Sequence, residues 1–275
     1  MIKMNHAEIK KEYITLQGMQ IYCESIINDK PPIILLHGFV SSTYTFKRLI
    51  PLLKEHFSVV AIDLPGFGRS EKSKVFVYSF ENYAALVYDC INYFSFKDVI
   101  LVGHSMGGQI SLYLAKKHPE LIKKMVLLCS SAYREKAKNS LRYSSYLPFF
   151  TFFARRWIMK KDINETLNNV FSNSSYIHDE LIHEFSRPLK EKAFYCSLVR
   201  LLRHREGDLP SQELKKINVP TLLIWGEADK VVPFELGLRL SKDLPKAEII
   251  SYENTGHLIT EERPRDIYKE IISYA

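Results

Sequence analysis

The chain has 275 residues, 38 Lys and Arg against 31 Asp and Glu, and is 46% hydrophobic and 25% charged. That composition excludes a disordered or collagen-like chain, and no apolar run reaches the roughly 20 residues that span a bilayer. The length suits one large α/β domain or such a domain carrying an insertion. Cys23, Cys90, Cys129 and Cys196 are widely spaced with no CxxC pair, which reads as free thiols in a reducing compartment. The opening Met1-Ile-Lys-Met-Asn-His6 has no apolar h-region, so a cytoplasmic location is the expectation. The formal charge of +7 is uneven: residues 131–210 hold fourteen Lys and Arg against nine Asp and Glu. With acids interleaved and no nucleic-acid motif, this is read as a solvated helical surface rather than a nucleic-acid site.

Taken in order, Glu12–Leu16 and Gln20–Ile26 are β-rich runs around Gly18 and predict an antiparallel hairpin. Ile33–Leu36 is an apolar strand ending in His37-Gly38-Phe39-Val40, and a helical pattern follows from Phe46 to Leu53. Phe57–Ile62 is a third apolar strand, running into Asp63-Leu-Pro-Gly-Phe-Gly-Arg-Ser70. Ser79 is placed to cap a helix from Phe80 to about Phe94. Val99–Val102 then leads into Gly103-His104-Ser105-Met106-Gly107 and a helix from Gln109 to His118, and Lys124–Cys129 is the next strand. Strands alternating with helices indicate βαβ units and a mostly parallel sheet flanked by helices.

From Ser131 to Pro210 the alternation stops and the pattern is helical throughout. Thr221–Trp225 resumes it, followed by a helix near Phe234–Leu244, a strand Ala247–Tyr252 and a last helix from Arg263. The reading is an α/β core of residues 1–130 and 211–275, with residues 131–210 as a helical cap inserted between two strands. Ligands of open α/β sheets bind at the carboxyl edge of the strands, where such a cap would sit.

Gly-x-Ser-x-Gly at a strand-to-helix switch is the nucleophile-elbow pattern: the sharp turn needs neighbours without side chains and leaves the Ser105 hydroxyl at a helix N-terminus. A nucleophilic serine needs a base, and the base needs an orienting acid. His257, in Asn254-Thr-Gly-His257 after the final strand, reaches the same sheet edge. Asp229 follows the penultimate strand and does so too, with Glu227 as the nearest rival. Asp63, within Pro65-Gly66-Phe67-Gly68, is read as a structural turn; His104 as packed beneath the elbow; His37 as a support; and Arg69 as a brace for the Asp63 turn. No cluster has metal-ligand spacing and no phosphate loop occurs, so no metal or cofactor is expected.

His37-Gly38-Phe39, Asp63–Ser70, Gly103–Gly107, Gly226-Glu-Ala-Asp229 with Val232-Pro233, and Gly256-His257 stand in the order nucleophile, acid, histidine. On these pieces the chain resembles the α/β-hydrolases across nearly its whole length. The resemblance implies Ser105 as nucleophile, His257 as general base and then acid, and Asp229 as its orienting partner. It also implies an oxyanion hole made by the backbone N–H groups of Phe39 and Met106. Serine at the elbow argues against the dehalogenases and epoxide hydrolases of this fold, which use aspartate there. The chemistry this favours is cleavage of small-molecule carboxylic esters with small to medium apolar acyl groups. The alternatives are C–C hydrolysis of ring-fission diketone acids, peroxy chemistry on the same triad, and a small-molecule receptor of the same fold.

Tyr146-Leu-Pro-Phe-Phe-Thr-Phe-Phe-Ala154 runs into Arg155-Arg156-Trp157-Ile-Met159-Lys160-Lys161. Its rings are read first as filling the cap core. A second reading makes Phe149, Phe150, Phe153 and Trp157 an acyl-binding wall, and a third makes the stretch a contact with anionic lipid.

Overall fold

The computed structural model describes residues 8–275, so Met1–His6, read above for a leader, lies outside the described residues. One eight-stranded sheet organises the chain: β1 (Lys10–Leu16), β2 (Met19–Ile26), β3 (Pro32–Leu36), β4 (Ser58–Ile62), β5 (Val99–His104), β6 (Ile122–Leu128), β7 (Thr221–Gly226) and β8 (Ala247–Tyr252). Their spatial order is β1-β2-β4-β3-β5-β6-β7-β8. β1 and β2 form the antiparallel hairpin, closed by Gln17 and Gly18, both at positive φ, as a two-residue hairpin turn requires. β2 pairs antiparallel with β4, and every later neighbour pair is parallel. β4, β5 and β7 are buried along their whole length, which is why they read as unbroken apolar runs. β8 is only half-buried, as suits the edge of the sheet.

Ser79 caps the helix Phe80–Tyr93 by accepting the Asn82 N–H. The helix expected over Phe46–Leu53 is instead a 3₁₀ turn, Thr43–Phe46, and a single α-turn, Ile50–Leu53. Pro51 lacks an N–H and so belongs in the first turn of a helix, which confines the α-helical segment to the residues around it.

Between β6 and β7 the chain is helical, with its longer helices at Phe150–Ile158, Asp179–Ser186 and Lys192–His204. Its two ends are clasped by buried Asp208, which accepts the Ser131 hydroxyl at 2.7 Å and the Arg134 N–H at 3.0 Å. The helix Lys192–His204 packs Phe194, Tyr195 and Leu201 into the main core. Leu167, Phe171 and Leu181 form a second, smaller core that closes on Leu258, just beyond β8.

β5 reaches His104 and the next helix starts at Met106, three residues earlier than its sequence pattern suggests, so Ser105 alone makes the turn. Two glycines allow it. A Cβ on Gly103 would lie 2.5 Å from the Gly107 carbonyl oxygen, and one on Gly107 would lie 2.1 Å from the Leu36 oxygen of β3. Gly107→Ala must therefore push helix and sheet apart, at a cost of about 3 kcal/mol or more. Gly18→Ala meets no atom within 4 Å and carries only backbone strain, about 1 kcal/mol. Urea unfolding of both variants checks this, and equal losses would contradict the close approach.

Candidate active site

Ser105 is the N-cap of Met106–Lys117 with φ 52° and ψ −116°, a backbone state costly for a residue with a side chain. Four backbone hydrogen bonds hold it there, the longest from the Gln109 N–H to the Ser105 carbonyl at 3.4 Å. The Ser105 N–H donates to Leu128 O at 3.0 Å, while its carbonyl accepts from Gly108 and Ser131, each at 3.0 Å. Ser131 begins the inserted segment, so the elbow is tied both to the sheet and to the insertion.

Asp229 lies beyond β7, buried, with Oδ1 accepting the N–H groups of Val231 at 2.7 Å and Val232 at 2.9 Å. Those bonds leave Oδ2 aimed at His257 Nδ1, 2.6 Å away. A carboxylate on Nδ1 fixes the tautomer with its proton there, so Nε2 carries the free lone pair. Glu227, the rival acid, is exposed and accepts the Ser251 hydroxyl on the strand edge instead. Ser105 and His257 line one cavity, and no hydrogen bond joins their side chains. Such contacts often form only around bound substrate. The Phe39 and Met106 N–H groups have no acceptor among the described residues, and the loop carrying Phe39 lies against the elbow: a Cβ on Gly38 would stand 3.0 Å from Ser105 Cβ.

The supporting histidines are both neutral. His37 Nε2 accepts the Leu64 N–H at 2.9 Å, so Nδ1 holds the proton and donates to Gly38 O at 2.7 Å. Burial lowers its pKa. His104 donates Nε2–H to the His257 carbonyl at 2.9 Å, and burial, helped by His257, takes it down to about 3. Asp63 is a turn-builder, accepting the backbone N–H groups of Thr43 and Arg69, each at 2.6 Å. Arg69 braces that turn through its backbone; its guanidinium reaches Glu184 instead.

Three site features escape the sequence. The His257 N–H donates to Val170 O of the insertion at 2.7 Å. Glu262 accepts the N–H groups of Gly256 at 3.0 Å and Ser172 at 3.1 Å, joining the histidine loop to the insertion a second time. Cys129 places its thiol, held neutral by burial, within 4.8 Å of the Asp229 and His257 donor atoms. Asp229 and His257 already bond each other, so this trio is a hydrogen-bonded relay with a thiol beside it, a poor fit for a metal ion. None of these contacts has a motif, and all but the Glu262–Gly256 bond join residues far apart in the chain.

The cavity above Ser105 is about 570 Å³, and Trp157 lines it. Phe149, Phe150 and Phe153 do not. Phe149 and Phe153 point to solvent and the helix Phe150–Ile158 has no buried residue, so the aromatic stretch neither fills the cap core nor forms a three-phenylalanine acyl wall. The wall is built from later parts of the insertion, including Ile163, Leu167, Phe185 and Leu198.

Residues 31–264 match the family described as alpha/beta hydrolase fold. The uncharacterized hydrolase YugF of Bacillus subtilis (strain 168) is 42% identical over 261 residues, covering 94% of this chain and 96% of that protein. The 2-hydroxy-6-oxo-6-(2'-aminophenyl)hexa-2,4-dienoic acid hydrolase of Metapseudomonas resinovorans is 27% identical over 285 residues, covering 96% of this chain and 95% of that one. The human monoacylglycerol lipase ABHD6 is 23% identical over 253 residues, covering 89% and 75% respectively. This chain belongs to the alpha/beta hydrolase fold family and is a hydrolase.

The buried histidines have a consequence for stability. Folded His104 and His37 stay neutral while the unfolded chain protonates them below about pH 6.5, so the unfolded state binds more protons there. Stability is full above that pH and falls as pH drops; for His104 the fall continues toward pH 3 at about 1 kcal/mol per pH unit, and His37 adds a loss of the same sign. Urea midpoints measured from pH 6.5 down to pH 5 will show a shallower slope for His104→Gln than for the wild type. An unchanged slope would mean that His104 is charged in the fold.

Proposed function

We propose that this member of the alpha/beta hydrolase fold family cleaves carboxylic esters of small to medium apolar acyl groups through an acyl-enzyme on Ser105. In this reading His257 Nε2 takes the Ser105 proton as Oγ attacks the ester carbonyl. The oxygen, gaining charge, moves between the Phe39 and Met106 N–H groups, each such donor being worth about 3 kcal/mol to the transition state. Asp229 holds the imidazole and stabilises its charged form. The imidazolium returns its proton to the departing alkoxide, leaving the acyl group on Ser105. Water, deprotonated by His257, then releases the acid by the same steps.

The observation that carries the reading is the apolar character of the cavity ending at Ser105. A ring-fission acid, the substrate type named for the Metapseudomonas relative, needs a cationic partner for its carboxylate. Three arginines of the insertion are engaged elsewhere: Arg203 with Ser145, Arg200 with Phe76 O, Arg187 with Gly68 O and Glu184. The two cationic residues on the cavity, Arg134 and Lys161, are solvent-exposed, where an ion pair gains little. C–C hydrolysis is the second reading, favoured by that relative.

A series of p-nitrophenyl esters from acetate to decanoate, run beside a 2-hydroxy-6-oxo-dienoate, separates the two. The ester reading predicts a maximum of kcat/KM at intermediate acyl length. It also predicts a loss of about 10⁵-fold for Ser105→Ala and about 10⁴-fold for Asp229→Asn. A dienoate turned over more efficiently than the best ester would establish the second reading, and full activity of Ser105→Ala would refute both.

A further inference from the structure

The aromatic stretch of the insertion has no place in the core or on the cavity wall, yet it is built with a consistent pattern. Nine of the sixteen exposed large hydrophobic residues of the described chain lie within residues 141–159. On the helix Phe150–Ile158 the solvent side carries Phe152, Phe153, Arg156 and Trp157, with Phe149 one turn before and Lys160 one turn after. These spacings of three and four residues form one stripe. Phe149 is 76% exposed, Phe153 and Trp157 each 63%, and Phe152 59%. The opposite side faces the protein: Arg155 lies over the Tyr195 ring.

Charge singles out the same place. Residues 134–161 contain eight Lys and Arg and one acid, Glu135, while the rest of the chain holds thirty of each sign. The net +7 of the protein therefore resides in this segment, and the acids of the insertion are concentrated after Asp162. Lys161 stands over the Trp157 ring, its nitrogen 4.2 Å from the centroid, so cation and ring occupy the same patch.

We propose that this stripe docks the protein onto an anionic lipid bilayer. Phenylalanine and tryptophan rings enter the headgroup–acyl boundary, and the surrounding lysines and arginines meet lipid phosphates. A second copy of the chain would bring seven excess positive charges against seven, which disfavours the same surface as a dimer contact. Trp157 belongs both to the stripe and to the cavity lining, so the docked face adjoins the cavity above Ser105. Docking does not depend on the ester reading, because it uses none of the reacting groups.

The test is binding of the full chain to vesicles of phosphatidylcholine, with and without about one-third phosphatidylglycerol. Trp225 is fully buried, so a blue shift of tryptophan emission on adding vesicles reports Trp157. The expected result is a blue shift and co-sedimentation at least about ten-fold greater with the anionic vesicles, abolished near 0.5 M salt by screening. Phe149→Ser/Phe152→Ser/Phe153→Ser should remove binding, and Arg156→Glu/Lys160→Glu should remove the anionic preference. Both variants should keep wild-type hydrolysis of a water-soluble ester, and Ser105→Ala should bind vesicles like the wild type. Three results would each overturn the proposal: no binding by the wild type at low salt, unchanged binding by the triple serine variant, or a solution dimer that this variant dissociates and that ignores vesicles.

Discussion

Everything in the site hangs on how closely one helix can approach one sheet. Gly107 lies against the Leu36 carbonyl of β3, and Gly103 against Gly107, at distances no Cβ tolerates. That approach forces the turn between β5 and the following helix into one residue, and Ser105 takes up the strain at φ 52°. A residue in such a conformation costs about 1–3 kcal/mol. Four backbone hydrogen bonds and the buried strand before it supply the compensation. In return the hydroxyl is set at the start of a helix, on the cavity.

The inserted segment holds the site together as well as roofing it. The histidine loop is fastened to it by the His257–Val170 bond, by Glu262 bridging Gly256 and Ser172, and by Leu258 in the small core with Leu167, Phe171 and Leu181. On the other side His104 donates to the His257 carbonyl, so the imidazole sits between two fixed backbones while Asp229 sets its proton. Any change that loosens residues 167–172 therefore reaches His257 through its backbone, without touching the imidazole.

What the sequence made legible follows its physics. Strands buried on both faces are unbroken apolar runs, and the residues at their carboxyl ends are found by counting from them; this places Ser105, Asp229 and His257 on one edge. The tautomer of His37, set by Leu64, the bridge from Glu262 to Ser172 and the thiol of Cys129 beside Asp229 bring together residues from different elements, and no local pattern encodes such meetings. The aromatic stretch fails for a different reason. Its spacing specifies a stripe, but a stripe rich in phenylalanine reads alike whether it faces a core or faces out, and only the neighbouring helix Lys192–His204, already packed through its own Phe194 and Tyr195, decides the matter. Arg69 shows the same limit on a smaller scale: the brace on Asp63 is its backbone N–H, which any residue carries.

The central claim is that Ser105 is a nucleophile activated by His257. The most direct measurement is reaction of the full chain with a fluorophosphonate probe, followed by mass mapping of the adduct. The account predicts one adduct, on Ser105, formed rapidly by the wild type and lost in His257→Ala. Absence of an adduct in the wild type, or an adduct on any other residue, would contradict it.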